Sequence, residues 1–301
     1  MQFPTRAVGR YVEWIGDANL RDVAQLSEQA GFDAIGVTDH PFPKDSWLAQ
    51  GGHHAFDPFV SLAYIAAVTS KIRLVTDILV AGYRNPYLSA AAIASLDRLS
   101  NGRVTVGMAA GYLQPEFEVL HANYTDRGER FDAAIKAMRA AWTGKSVDFG
   151  GPYFEAHGHT MQPTPVQKPG PPIWIGGNSK RARRRAVELG QGWMPIPQSE
   201  EVAKITKTPA MPSIEVLASM VEELQAMRPD PTAPRLDVCT VPFESLRIAR
   251  EASVAVLDRL PAYERAGVTA LIIEPRSRTF HEFRDDIACF GEQLIAPARR
   301  M

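Results

Sequence analysis

Ser27-Glu28-Gln29-Ala30-Gly31-Phe32-Asp33-Ala34-Ile35-Gly36-Val37 reads as the end of a helix, a glycine stop and a short buried strand. Far downstream, Tyr263-Glu264-Arg265-Ala266-Gly267-Val268-Thr269-Ala270-Leu271-Ile272-Ile273 repeats that order, and Val187-Glu188-Leu189-Gly190-Gln191-Gly192-Trp193-Met194 is a weaker third copy. Glycine suits the left-handed turn that closes a helix. The apolar run after it lacks the polar alternation of a half-exposed strand, so it reads as a parallel strand covered on both faces.

Between the copies the same alternation continues. Residues 58–69 place Phe59, Leu62, Ala63 and Ala66 on one helical face, and 72–80 is strand-like. Pro86 suits the first turn of a helix bearing Leu88, Ala91, Ala92, Ser95, Leu96 and Leu99, and Gly102 ends it before a strand at 103–108. Phe131, Ile135, Met138 and Trp142 form one helical stripe. Strand 172–175, helix 179–189, helix 212–227, strand 236–241, a helix around 252–266, strand 269–274 and helix 279–295 complete the series. Alternating strands and helices predict a parallel sheet, and the count predicts an α/β fold of the (β/α)8 TIM-barrel type. The expected first strand is 8–14, although it holds Arg10 and Glu13. Pro261 within a helical pattern predicts a kink or a late helix start. Residues 144–172 are too many for a simple loop and read as an insertion after the fourth helix, carrying a hairpin. A single domain over 1–301 is expected, since barrels of this type run to roughly 250 residues as one unit.

Hydrophobic residues make up 45% of the 301, enough for a large core. With 33 basic and 34 acidic side chains the net charge is −1, which gives no electrostatic case for nucleic acid or a charged membrane surface. No run of about 18 apolar residues is present, and the first residues lack the apolar stretch of a signal peptide. Cys239 and Cys289 form no CxxC and read as reduced thiols of a cytoplasmic protein. The expected partner is a small-molecule substrate.

In such a barrel the active site gathers at the C-terminal ends of the strands. That rule selects Asp39 and His40 after strand 34–37, and Thr76, Asp77 and Ile78 in strand 72–80. It also selects Gly107, Ala109, Gly111 and Tyr112 after strand 103–108, and Gly176, Gly177, Asn178 and Ser179 after strand 172–175. Histidine titrates near neutrality, so His40 is the candidate proton donor or acceptor, with Asp39 beside it. Gly176-Gly177 lets backbone approach a ligand, and Asn178 or Ser179 can cap a helix whose free N–H groups suit a phosphate; the alternative is an ordinary capped turn. The run Lys180, Arg181, Arg183, Arg184 and Arg185 is either a solvated helix face or a cover for an anionic cofactor tail. His53 and His54 have no partner at metal-ligand spacing, and no metal is expected. There is no GxGxxG after a strand, no GxxxxGK[ST], no GxSxG and no HExxH, which argues against Rossmann dehydrogenases, P-loop enzymes, α/β-hydrolases and zincins.

Ala30-Gly31-Phe32-Asp33 with Val37-Thr38-Asp39-His40 resembles the second-strand signature of the luciferase-like flavin and deazaflavin oxidoreductases. The stretch from Ala94 to Arg103, Val106-Gly107-Met108-Ala109-Ala110-Gly111-Tyr112, Glu116-Phe117-Glu118 and Arg127 to Asp132 are similar too. So are Gln167-Lys168-Pro169, Pro171-Pro172-Ile173-Trp174-Ile175-Gly176-Gly177-Asn178-Ser179 and Leu189 to Trp193. The resemblance is dense over 19–195 and is nearest to the branch that uses the deazaflavin coenzyme F420, with FMN and oxygen as the alternative chemistry and a noncatalytic cofactor-binding protein as a third. It implies a bacterial luciferase-like barrel with the cofactor ring across the strand ends and its phosphate at Gly176 to Ser179. It implies a non-prolyl cis peptide after the third strand, at Asp77-Ile78, and a ring-contacting acid and proton-transfer histidine at Asp39 and His40. It also implies a homodimer. Tyr112, Trp47 and Phe42 are candidate walls of the substrate cavity. In the sugar-phosphate dehydrogenases of this family a glutamate follows the fourth-strand glycine; Tyr112 stands there in this chain, which departs from that pattern.

Overall fold

The computed structural model describes residues 1, 16–230, 232–244, 248–277 and 279–301. Along the chain come α1 (Asp17–Gln29), β1 (Ala34–Val37), the single turn α2 (Asp45–Leu48), α3 (Pro58–Val68), β2 (Arg73–Val80), α4 (Pro86–Leu99) and β3 (Val104–Ala109). Then follow α5 (Gln114–Val119), α6 (Arg127–Trp142), β4 (Val147–Phe149), β5 (Ala156–His159), β6 (Ile173–Gly176), α7 (Lys180–Leu189), β7 (Gly192–Met194), α8 (Glu200–Thr206) and α9 (Ile214–Ala226). The described chain finishes with β8 (Asp237–Thr240), α10 (Ser253–Arg265), β9 (Ala270–Leu271), α11 (Phe280–Phe290) and α12 (Ala296–Ala298).

Among the described residues seven strands pair in the order β1-β2-β3-β6-β7-β8-β9, and every pair is parallel. Strand order follows chain order, so each crossover leads to the neighbouring position and the sheet curls in one direction, as in a TIM barrel. The strand expected at 8–14 lies outside the described residues. Hairpin β4–β5 is antiparallel and falls inside the expected insertion.

The glycine junctions differ in their physics. Gly31 and Gly267 take φ +88° and +83°, the left-handed stop predicted for them. Gly190 does not: its φ is −120°. There the missing side chain serves packing, because a Cβ would lie 2.9 Å from the Ala186 carbonyl oxygen and 3.1 Å from that of Ile173. Strand β9 is shorter than the expected 269–274, although the Ile272 N–H still donates to the Thr240 carbonyl at 2.8 Å. Helix α10 runs through Pro261 from Ser253, so the late start is not seen; the proline leaves the carbonyl four residues before it without its helical donor.

Pro58 and Pro86 open α3 and α4, with Asp57 and Asn85 accepting backbone N–H bonds as N-caps. Glycines on the strands receive large side chains from their neighbours. A Cβ on Gly107 would meet Met194 Sδ at 2.7 Å, one on Gly176 would meet Ile78 Cδ1 at 2.5 Å, and one on Gly192 would meet Trp174 Cδ1 at 2.4 Å. This small-against-large exchange fills the sheet interior with interlocked layers. The insertion is held by buried Asp97, which accepts from the Gln167 N–H at 3.0 Å and from its side-chain amide at 2.8 Å.

Candidate active site

Strand β1 ends at Val37 and delivers Thr38, Asp39 and His40 to the C-terminal edge of the sheet. Asp39 is 1% exposed, and both of its oxygens are occupied by protein donors. Arg84 forks onto them at 2.7 and 3.0 Å, and the Val80 N–H donates at 3.1 Å. Arg84 also reaches Asp57 at 3.1 Å. Burial works to lower the Arg84 guanidinium, but the hydrogen bonds and charges of Asp39 and Asp57 outweigh it and hold the group above its usual value. A buried carboxylate is tolerated only with such pairing. Asp39 therefore ties the end of β1 to the turn that follows β2.

His40 faces a different set of groups. Its Nδ1 lies 2.9 Å from Oε2 of Glu116, which is 1% exposed. The Tyr83 hydroxyl donates to the same oxygen at 2.8 Å, and the Phe42 N–H to Oε1 at 3.3 Å. Burial and then the Glu116 charge push the Tyr83 phenol well above its usual range, so it remains a donor. The imidazole packs against Trp47 (centroids 4.7 Å apart) and meets the ring of buried His53 edge-on at 4.9 Å. The Gly51-Gly52 pair makes this possible. Gly51 takes φ +90°, and a Cβ on Gly52 would lie 2.3 Å from the Trp47 ring. The loop can thus fold flat on the indole and return His53 to His40.

The other expected residues lie along the same edge. The Asp77-Ile78 peptide is cis, and the β2–β3 register shifts between Thr76 and Leu79. The Thr76 hydroxyl donates to the Gly107 carbonyl at 2.8 Å. Past Ala109, Gly111 takes φ +85°, its carbonyl accepting from Arg127 Nε at 3.0 Å, while the Tyr112 carbonyl accepts from the Tyr124 hydroxyl at 3.4 Å.

At the start of α7, Gly177 takes φ +109°. The Asn178 side chain is 0% exposed and bound within the protein: its amide donates to Ile196 and Pro209 carbonyls at 2.8 and 2.9 Å, and its oxygen accepts from the Ile196 N–H at 2.9 Å. Asn178 thus shapes the corner by pinning the chain after β7. The Thr208 hydroxyl accepts the Asn178 N–H at 3.1 Å, and Ser179 Oγ caps Ala182 N–H at 3.1 Å. The remaining first-turn N–H groups of a helix have no acceptor within it. Together with the helix dipole and the permissive Gly177 backbone, they make a donor set that fits a phosphate. The basic run beyond is split: Lys180, Arg181 and Arg184 are exposed, as a solvated face requires, and Arg183 and Arg185 are not. Arg183 and Arg185 are buried and paired with Glu223 and Asp132, and Arg181 bonds Glu129 and Asp132.

A cavity of about 600 Å³ lies elsewhere, against Phe32, Ala34, Thr269 and Ala270 at the opposite strand ends, and reaches up to Asp77 and Cys239. It contains none of the His40 cluster, and catalytic groups of this architecture collect at the C-terminal ends. His40, Asp39 and the Gly176–Ser179 corner, all selected from the sequence, lie at the C-terminal strand ends. Tyr83, Arg84 and the packing of His53 on His40 carry no signal in the sequence, and Glu116 stands out there only inside a family motif. Nothing local marks Glu116, because its partner is 76 residues away.

Known proteins share both the sequence and the fold. The family model described as luciferase-like monooxygenase matches residues 8–211. The F420-dependent glucose-6-phosphate dehydrogenase of Nocardia farcinica is 35% identical over 190 residues, 60% of this chain and 54% of that protein. The FMNH(2)-dependent dimethylsulfone monooxygenase of Pseudomonas putida is 29% identical over 194 residues, 64% of this chain and 52% of that protein. The chain thus spans about half the length of the curated relatives it matches. The coenzyme F420-dependent tetrahydromethanopterin reductase of Methanopyrus kandleri superposes with a TM-score of 0.71 at 14% identity, covering 94% of this chain and 96% of that one. From its curled parallel sheet, its strand-end cluster and these matches, the chain belongs to the luciferase-like monooxygenase family.

Proposed function

We propose that the chain is an F420-dependent oxidoreductase that transfers a hydride between the deazaflavin and a small organic substrate. The observation that carries this reading is the pairing, on one edge of the sheet, of the capped helix start at Ser179, whose first-turn N–H groups suit an anion, with a histidine held 2.9 Å from a buried carboxylate. The F420-dependent relative from Nocardia farcinica supports the choice of cofactor. In this reading the N–H groups of Ser179, Lys180 and Arg181, with the Ser179 hydroxyl, hold the cofactor phosphate, while those of Gly177 and Asn178 are bonded to the Met194 carbonyl and the Thr208 hydroxyl. The edge formed by Thr76, Asp77, Ile78, Gly107, Ala109, Gly111 and Tyr112 supports the ring. Bound deazaflavin supplies two-electron hydride chemistry. Loss of a hydride from an alcohol carbon leaves a proton on the oxygen, and His40 Nε2 takes it; in the reverse direction His40 returns it. Asp39 keeps His40 at the strand edge through Arg84 rather than moving the proton itself.

The Pseudomonas putida relative favours a second reading, an FMN-dependent monooxygenase on the same scaffold. A third reading, a cofactor-binding protein without turnover, predicts ring binding and no reaction above background, in the wild type and in His40→Ala alike. Absorbance titration with F420 and with FMN separates the first two. Binding of F420 and reduction of it by an alcohol or sugar-phosphate panel, lost in His40→Ala, is the expected result; FMN binding alone supports the second reading. No binding of either cofactor at millimolar concentration rejects all three.

We also place the protein in the cytoplasm as a homodimer. Helix α3 has no charged residue, yet Val60 is 72% exposed, and on the adjoining α4 Leu88 and Leu99 are 69% and 74% exposed. Helices apolar on every side are normally covered. No helix among the described residues is long and apolar enough to cross a membrane.

A further inference from the structure

Two carboxylates compete for the role of partner to His40. Asp39 is its chain neighbour, and Glu116 comes from α5, the short helix that follows β3. The structure separates their duties. The oxygens of Asp39 face Arg84 and the Val80 N–H, whereas Glu116 Oε2 stands 2.9 Å from His40 Nδ1.

We infer that Glu116 is the positioning residue that fixes the proton of His40 on Nδ1 and leaves Nε2 bare for the substrate, and that Asp39 has no part in this choice. An ionised carboxylate only accepts hydrogen bonds, so the nitrogen facing it must donate. In a neutral imidazole the other nitrogen is then the acceptor. Glu116 is well built for this. It is buried, and the Tyr83 hydroxyl and the Phe42 N–H converge on its two oxygens, which prevents it from turning away. Tyr83 and Arg84 are consecutive, so one turn after β2 serves both carboxylates: Tyr83 steadies Glu116 and Arg84 steadies Asp39. Trp47 and His53 hold the ring from its other sides. The arrangement follows the general pattern in which a base is oriented by a third group.

The inference rests on His40 being the proton-transfer group, and its test does not need a known substrate. Two-bond nitrogen–proton correlation spectra of the 15N-labelled protein, taken where the His40 ring is neutral, report which ring nitrogen holds the proton. The expected wild-type signature is Nδ1–H with a bare Nε2. In Glu116→Gln the preference is lost or reversed, because the amide N–H₂ can itself donate to Nδ1. Tyr83→Phe keeps Nδ1–H but broadens the ring signals. Wild-type His40 found as the Nε2–H form overturns the inference with no variant needed, and so does a Glu116→Gln protein that keeps the wild-type signature. Failure of the functional reading is distinct: it shows as absence of F420 binding, whatever the spectrum.

Discussion

At the scale of single residues, the buried ion pair between Asp39 and Arg84 decides more than its exposure suggests. Removing one member of such a pair leaves an uncompensated charge in the interior, at a cost of about 3–5 kcal/mol. Arg84→Met is therefore expected to lower urea-unfolding stability by about that amount, and Arg84→Lys to recover only part of it, because a lysine cannot fork onto both oxygens. An Arg84→Met protein as stable as wild type would show that Asp39 needs no partner. A second residue-scale prediction concerns Gly177, whose φ of +109° is unfavourable for any residue with a Cβ. Space is not the obstacle, since a Cβ there would stand 3.6 Å from Ala182. Gly177→Ala is expected to shift the corner and weaken cofactor affinity by roughly 10-fold, in line with backbone strain of about 1–3 kcal/mol. Isothermal titration checks this, and unchanged affinity would place the phosphate elsewhere.

At the scale of elements, the joint between α1 and β2 is set by one carboxylate. Glu28 accepts the N–H groups of Ser70, Lys71 and Ile72 at 3.0, 2.6 and 2.8 Å. Burial alone would raise its pKa, but these backbone donors prevail and the value is lowered. A carboxyl lowered by folding contributes stability above its unfolded pKa, and that contribution is lost as the pH falls through the folded pKa. Glu28→Gln is expected to cost about 1–2 kcal/mol near neutrality and to narrow its deficit against wild type in acid; a deficit that does not shrink in acid contradicts the assignment. Elements were also where the sequence was most readable. The Gly31 and Gly267 stops, the Pro58 and Pro86 starts and the α6 stripe are local signals with local causes, and they appear where expected. Gly190 was misread because close packing and left-handed backbone demand the same residue. Within the basic run only Arg183 and Arg185 depart from a solvated face, because their carboxylate partners lie on α9 and α6, invisible to a local pattern. Glu116 and Tyr83 escaped for the same reason. A side chain whose partner is brought in by the curl of the sheet leaves no mark at its own position.

At the scale of the whole molecule, strand order fixes the location of function. Parallel strands taken in chain order bring the ends of β1, β2, β3 and β6 to one edge, and with them Asp39, Ile78, Gly111 and Gly177. The apolar faces of α3 and α4 lie on the outside. If they join two copies, Leu88→Glu with Leu99→Glu converts a dimer into a monomer in light scattering, with the far-ultraviolet circular dichroism unchanged. A wild-type monomer would remove the homodimer from the account. The central claim is that the C-terminal edge, and not the cavity at the opposite end, receives an anionic deazaflavin. A crystal structure of the protein with F420 tests it most directly. The expected result is the phosphate within hydrogen-bonding distance of the first-turn N–H groups of α7 and the ring lying against Ile78 within reach of His40 Nε2. Cofactor bound beside Phe32 and Thr269, or an edge closed by side chains with no cofactor there, would contradict it.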